Sequence, residues 1–308
     1  MTDHEPTMKL GKDLELPAVG FGTYLIGNDA AEPAVTAALE VGYRHIDTAE
    51  AYRNEEAVGK ALRRFFEQSG CKRDEVFVTT KVFPGNDAWG MPVKGYSETL
   101  AALDASLKRL GLDHVDLYLI HAPFAGERRV EEWKALVEAR RLGKTRAIGV
   151  SNWSAAHIGE LEAAGLPLPD ANQIELHPWS QKPALVSFLI ANDIRPIAYS
   201  SLVPLSTWRT AEGHGSAKTD GMRKEGERDD FPFRRMAEKY GVSEAQVLLR
   251  WGVQKGYPVL PKSTNPERIK RNRDIFGFAL DAGDMAAIEK MDRGAGIAWS
   301  GGDPLAAP

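Results

Sequence analysis

Disulfides, membrane-length apolar runs, metal-ligand spacings and a glycine-rich nucleotide loop are all missing from this chain of 308 residues. Its single cysteine, Cys71, excludes an intrachain disulfide and fits a reducing compartment. That thiol lies in the polar stretch 68–73, which reads as a surface loop rather than a nucleophile's setting. No apolar run approaches the length of a bilayer span. The first residues, Met1 to Pro6, lack the basic and apolar regions of a signal peptide, so the expectation is a cytoplasmic protein with no membrane partner. Charge is nearly balanced, with 39 Lys and Arg against 43 Asp and Glu for a formal net charge of -4. No basic stripe is visible, which argues against nucleic acid as a partner. His45, His121 and His177 show neither HxxxH nor CxxC spacing, so no metal is expected.

What the chain does have is a regular alternation. Short β-branched runs at 19–23, 45–47, 76–81, 115–121, 147–150, 172–176, 196–199 and 258–261 are separated by amphipathic segments. In the stretch 96–110, for example, Leu100, Leu103, Leu107 and Leu110 recur at helical spacing. Strand–helix alternation implies a parallel sheet covered by helices. Eight such units point to an α/β fold of the (β/α)8 barrel type, a single domain over 1–308. An open doubly wound sheet would carry a Gly-rich turn after its first strand, and Gly20-Phe21-Gly22 lacks the third glycine and the helix start. Ahead of the first unit, apolar pieces flank the turn Gly11-Lys12-Asp13, a β-hairpin suited to plug the barrel floor. Two long polar loops, 83–95 and 205–232, follow the third and seventh strands and belong on the catalytic face.

Catalysis in such a barrel is expected at the C-terminal strand ends. Asp47 follows the second strand, Tyr52 lies just beyond it, Lys81 ends the third and His121 ends the fourth. Each alone is weak, but four on adjacent strand ends form a set. A Lys ammonium beside a phenol favours the phenolate, so Lys81 is expected to lower the pKa of Tyr52. A carboxylate such as Asp47 would keep a buried ammonium charged. A neutral His121 can orient a carbonyl oxygen. Together they offer a general acid and a polar seat for a developing alkoxide.

These residues stand within longer motifs: Gly42-Tyr43-Arg44-His45-Ile46-Asp47-Thr48-Ala49 with Tyr52 and Asn54-Glu55, Thr79-Thr80-Lys81, and Leu119-Ile120-His121. The run from Gly143 to Asn152, then Asn172-Gln173 and Pro261-Lys262-Ser263, follow in order. With them the chain resembles the aldo-keto reductase superfamily over most of its length. The resemblance implies reduction of an aldehyde or ketone, with Tyr52 as proton donor, Lys81 and Asp47 as its tuners and His121 as carbonyl orienter. It also implies NADPH, with hydride leaving the nicotinamide. Family members with Glu at the His121 position act on carbon–carbon double bonds instead. Other members are cofactor-sensing subunits of ion channels with little turnover; no long N-terminal extension is present here to tether such a partner.

Cofactor contacts implied by the resemblance are Thr23, Ser151, Asn152, Gln173, Tyr199, Ser200 and Leu202. On residues alone, Ser151-Asn152 could equally cap the next helix. Lys262, Ser263, Thr264, Arg268 and Asn272 combine cations, hydroxyls and a helix start suited to an extra phosphate. Many relatives carry Glu where Arg271 stands, and an arginine cannot accept a hydrogen bond from adenine. For the small-molecule carbonyl substrate, Tyr24, Trp89, Trp208 and Trp299 are candidate wall residues, with Phe124 nearby. Ala122 stands where many relatives carry Trp, which would widen the pocket. A monomer is the default expectation.

Overall fold

Two short strands come first, β1 (Thr7–Leu10) and β2 (Leu14–Pro17), paired antiparallel with Met8 opposite Leu16 and Leu10 opposite Leu14. Gly11 reverses the chain between them at φ 58°, a left-handed conformation that is easy without a Cβ. This computed structural model describes residues 6–205, 224, 225, 228, 230–294, 296–299 and 302–308.

Seven parallel strands then form one sheet in sequence order. They are β3 (Phe21–Gly22), β4 (His45–Asp47), β5 (Phe77–Val82), β6 (Val115–Ile120), β7 (Thr145–Ser151), β8 (Ala171–Glu175) and β9 (Arg195–Tyr199). Helices alternate with them, beginning with α1 (Asn28–Glu40), α2 (Glu55–Ser69) and α3 (Tyr96–Leu110). The last of these has the limits that its leucine spacing predicts; Leu103, Leu107 and Leu110 are buried, and Gly111 ends it at φ 67°.

The expected eighth strand, 258–261, forms only isolated bridges, from Val259 to Val19 on one side and to Ala198 on the other. Its carbonyls still join both edges of the sheet. Gly20 and Gly22 donate to Val259 and Pro261 at 2.8 and 3.0 Å, and Ala198 donates to Pro258 at 2.8 Å. Pro258 and Pro261 have no N–H, so a regular ladder cannot continue there. The same neighbour explains why the expected first strand, 19–23, keeps a ladder only at Phe21 and Gly22. The sheet closes into the (β/α)8 barrel nonetheless.

Strand alternation sorts the barrel interior. The odd-numbered residues of β4 to β9 share the face toward the axis. Lowest lies an apolar floor of Phe77, Leu117, Ala147, Ala171 and Ile197 with Leu10 and Leu16 of the hairpin, all buried. Leu119 and Leu260 continue it upward. His45 and Thr79 sit at mid-height, joined by a 3.0 Å hydrogen bond through His45 Nε2. Gly20 makes room there, because a Cβ on it would lie 2.4 Å from His45 Nδ1 and 2.6 Å from Leu260 Cδ2. Two residues further along each strand come Asp47, Lys81, His121, Ser151, Gln173 and Tyr199. The period of two thus lifts a polar ring above an apolar plug. A second, larger core lies between the sheet and the helices, anchored by Tyr43, Tyr118, Trp133, Trp153 and Trp251.

Candidate active site

Lys81 is fully covered, and its ammonium has three partners. Lys81 Nζ donates to Asp47 Oδ1 at 2.5 Å, to the Thr48 carbonyl at 2.9 Å and to Tyr52 Oη at 3.3 Å. Gln173 Nε2 donates to the other Asp47 oxygen at 2.7 Å, so both carboxylate oxygens are occupied. Tyr52 comes from the one-turn helix Glu50–Tyr52, which ends at Arg53 in a left-handed conformation. The Tyr52 ring meets His121 edge-on with centroids 5.5 Å apart, and Tyr24 covers its other side at 5.1 Å. The four residues read from the strand ends therefore meet at one point.

Asn54 fastens this corner from behind. Its side chain accepts from Thr48 Oγ1 at 2.9 Å and donates to the Thr23 and Ile26 carbonyls at 3.0 Å each. The loop bearing Tyr24 and the turn bearing Tyr52 are thereby held together.

Electrostatically, one expectation is corrected. Burial pushes the Tyr52 phenol well above its usual range, and the Asp47 carboxylate and Tyr24 push the same way. Desolvation outweighs the nearby ammonium, whose own pKa burial lowers and Asp47 partly restores. The phenol consequently keeps its proton at neutral pH, the form a donor requires. Burial, helped by Lys81, brings His121 down to about 3, so its imidazole is neutral. Its Nδ1 is buried with no hydrogen-bond partner.

The other ring members are linked in series. Ser151 Oγ donates to the Gln173 carbonyl at 2.8 Å, and Asn152 Nδ2 donates to the His121 carbonyl at 3.1 Å. Tyr199 Oη donates to Asn152 Oδ1 at 2.6 Å and accepts from Trp299 Nε1 at 2.9 Å. Asn152 and Ser200 have φ values of 64° and 58°, strained backbone of the kind found at functional strand ends.

A cleft of about 320 Å³ opens over this set, lined among others by Tyr24, Tyr52, His121, Trp299, Ser200, Leu202 and Lys262. Thr23 lies beneath it, fully covered, with Oγ1 donating to the Asp47 carbonyl at 3.0 Å. Beyond Lys262 the cations continue: Arg268 Nε donates to Ser263 Oγ at 3.3 Å, Thr264 is exposed and Asn272 is buried. Among the described residues neither Lys262 nor Arg268 has a carboxylate partner, and each is left available to an anion. Burial and Arg268 lower the Lys262 pKa.

Two expected pocket residues stand back from the cleft. Trp89 stacks on Phe83 at 6.3 Å and meets Phe124 at 5.2 Å, with half its surface exposed, because its short helical turn folds away over the loop. Ala122 is wholly covered, two residues past the end of β6, and takes no part in the cleft wall. Trp208 lies outside the described residues. Phe83 lines the cleft and was not singled out in the sequence. Glu175, on the inward face of β8, was also missed, although its parity with Gln173 marks it.

A parallel barrel with a lysine-bridged carboxylate and phenol at its mouth belongs here to an oxidoreductase. Residues 18–293 match the model of the Aldo/keto reductase family, and the chain belongs to that family. It is similar to the morphine 6-dehydrogenase of Pseudomonas putida, 39% identical over 99% of this chain and 96% of that protein. It is also 37% identical to an uncharacterized oxidoreductase of Schizosaccharomyces pombe, over 95% of this chain and 96% of that one. Among solved structures, an aldo-keto reductase from Bombyx mori in complex with NADP superposes with a TM-score of 0.81 at 34% identity, covering 94% of this chain and 93% of that one. An aldo/keto reductase from Brucella melitensis does so at 0.80 and 40% identity, covering 94% and 100%. No helix among the described residues is long and apolar enough to cross a membrane.

Proposed function

We propose that this protein reduces an aldehyde or ketone to the alcohol at the expense of NADPH, with Tyr52 as proton donor. The observation that carries the reading is the Lys81 ammonium, held by Asp47 at 2.5 Å and reaching Tyr52 at 3.3 Å. NADPH, when bound, supplies the hydride. A carbonyl oxygen seated between Tyr52 and neutral His121 accepts a hydrogen bond from the phenol, and the proton follows as negative charge develops. Lys81 stabilises the phenolate left behind. Asp47 keeps Lys81 charged and in place, and Gln173 holds Asp47. Ser151, Asn152 and Gln173 offer amide and hydroxyl partners for a carboxamide, while Tyr199, fixed by Asn152 and Trp299, offers a flat ring surface.

The preference for NADPH rests on Lys262 in the cleft wall and Arg268 beside Ser263, cations without carboxylate partners among the described residues. The Bombyx mori relative in complex with NADP supports the same choice. Replacement of Tyr52 by Phe tests the donor role. NADPH oxidation with a panel of aldehydes and ketones should fall by about 10³-fold, within the range for losing a general acid, while NADPH affinity stays unchanged. Full turnover in that variant would refute the assignment.

A further inference from the structure

We infer that Glu175 is the positioning residue for the C-terminal segment 296–299, docking its backbone so that Trp299 roofs the substrate end of the cleft. The inference rests on the reductase reading for its kinetic consequence, but the docking itself stands on geometry. Glu175 is buried at the end of β8 and does not line the cleft. Its Oε1 accepts from the Ile297 N–H at 2.7 Å and from His177 Nε2 at 2.8 Å, and its Oε2 accepts from the Ala298 N–H at 2.9 Å. His177 Nδ1 accepts from the Trp179 N–H at 3.2 Å, so the ring proton resides on Nε2 and points at the carboxylate. Three N–H groups thus converge on a group that only accepts.

A second fastening acts on the same stretch. Gly296 donates to Asp303 Oδ2 at 3.1 Å, and Lys182 Nζ reaches the same oxygen at 2.8 Å. A Cβ on Gly296 would lie 2.5 Å from Asp303 Oδ2 and 3.1 Å from Glu175 Oε2. The backbone therefore runs between two carboxylates with space for hydrogen alone. Next come Ala298 and Trp299, both in the cleft wall. Trp299 bonds Tyr199, Tyr199 bonds Asn152, and Asn152 bonds the His121 carbonyl. Trp299 also meets Phe124 at 5.7 Å and His121 at 6.5 Å. Its position is thus set from one end by Glu175 and read out at the other beside the reacting carbonyl. Roofing a substrate is uniform binding, which appears in KM rather than kcat.

The test compares wild type, Glu175→Gln, Gly296→Ala, Trp299→Ala and the Glu175→Gln/Trp299→Ala pair, using NADPH with 4-nitrobenzaldehyde or propanal. Glu175→Gln turns one acceptor into a donor facing an N–H. It is expected to raise the KM for 4-nitrobenzaldehyde about tenfold, the scale of a lost hydrogen bond to a charged group, with kcat within about twofold. The KM for propanal, too small to reach the roof, should not move. Adding Glu175→Gln to Trp299→Ala should change nothing further. Gly296→Ala should reproduce the KM pattern with Glu175 intact, and it decides the matter if Glu175→Gln does not fold. Amide hydrogen exchange of the peptide containing 296–299 should quicken about tenfold in Glu175→Gln. Unchanged exchange, or the same KM rise with and without Trp299, would overturn the inference. If wild type turns over neither aldehyde the reductase reading fails, and exchange alone then judges the docking.

Discussion

Acid should destabilise this barrel through its interior histidines, and replacing one of them should remove about half of that effect. Burial and the Lys81 charge bring both His45 and His121 from 6.5 to about 3. The folded state then refuses a proton that the unfolded chain accepts below about pH 6.5, so stability is complete above that pH and drains as pH falls toward 3. At about pH 5 each histidine should cost about 2 kcal/mol relative to about pH 7.5, and the pair about 4 kcal/mol. Buried carboxyls act with the opposite sign; burial raises Asp170, for example. The comparison must therefore be between proteins. His45→Gln keeps a polar partner for Thr79, which His45 Nε2 meets at 3.0 Å, and removes a titrating ring whose Nδ1 is unpartnered. Urea unfolding by tryptophan fluorescence at about pH 7.5 and about pH 5 gives the stability change for each protein. Whatever the variant's starting stability, its loss between the two pH values should be about 2 kcal/mol smaller than that of wild type. Equal losses would show that His45 is not held neutral by its surroundings.

Exchanging both Lys262 and Arg268 for Ala should weaken NADPH by about 100-fold or more and NADH little, as two charge-assisted contacts to one phosphate require; equal weakening of both in fluorescence titrations would sink the phosphate assignment. Gly20→Ala drives a Cβ to 2.4 Å from His45 Nδ1 and 2.6 Å from Leu260 Cδ2, so thermal unfolding should report a loss of about 1–3 kcal/mol or more. Asn54→Ala leaves one hydroxyl and two carbonyls without their partner, and denaturant titration should show about 2–4 kcal/mol lost. Because Tyr52 is held protonated, reduction should stay level through neutral pH and decline only on the alkaline side, as the donor form is lost. A decline centred near neutrality would mean that another group gives the proton.

Asp47, Lys81, His121 and Gln173 were legible because strand parity is a local property. Lys81, His121 and Gln173 lie an even number of residues beyond the inward apolar residues Phe77, Leu119 and Ala171, Asp47 lies two beyond inward His45, and the barrel brings equal heights together. Tyr52 was legible from the motif around it. The direction of its pKa was not, since that depends on how completely water is excluded. Trp89 and Ala122 show a related limit. A loop's heading and a residue's place beyond the strand end decide whether a side chain meets the cleft. Glu175 was hidden for another reason: the amides it binds lie 122 and 123 residues away along the chain. No motif records a pairing of that range. The eighth strand was found by its apolar pair Val259-Leu260, yet its flanking prolines cut its regular ladder to single bridges.

The N-terminal hairpin has a kinetic meaning. Leu10 and Leu16 close the lower end of the barrel with no exposed surface, and Arg195 Nε ties the Lys9 carbonyl to the rim at 2.8 Å. Through the described residues the interior is a blind alley, so whatever enters from above must back out by the same doorway. On the reductase function proposed above, the alcohol product would have to depart before the next carbonyl could arrive, which makes traffic at that threshold a natural place for turnover to be throttled.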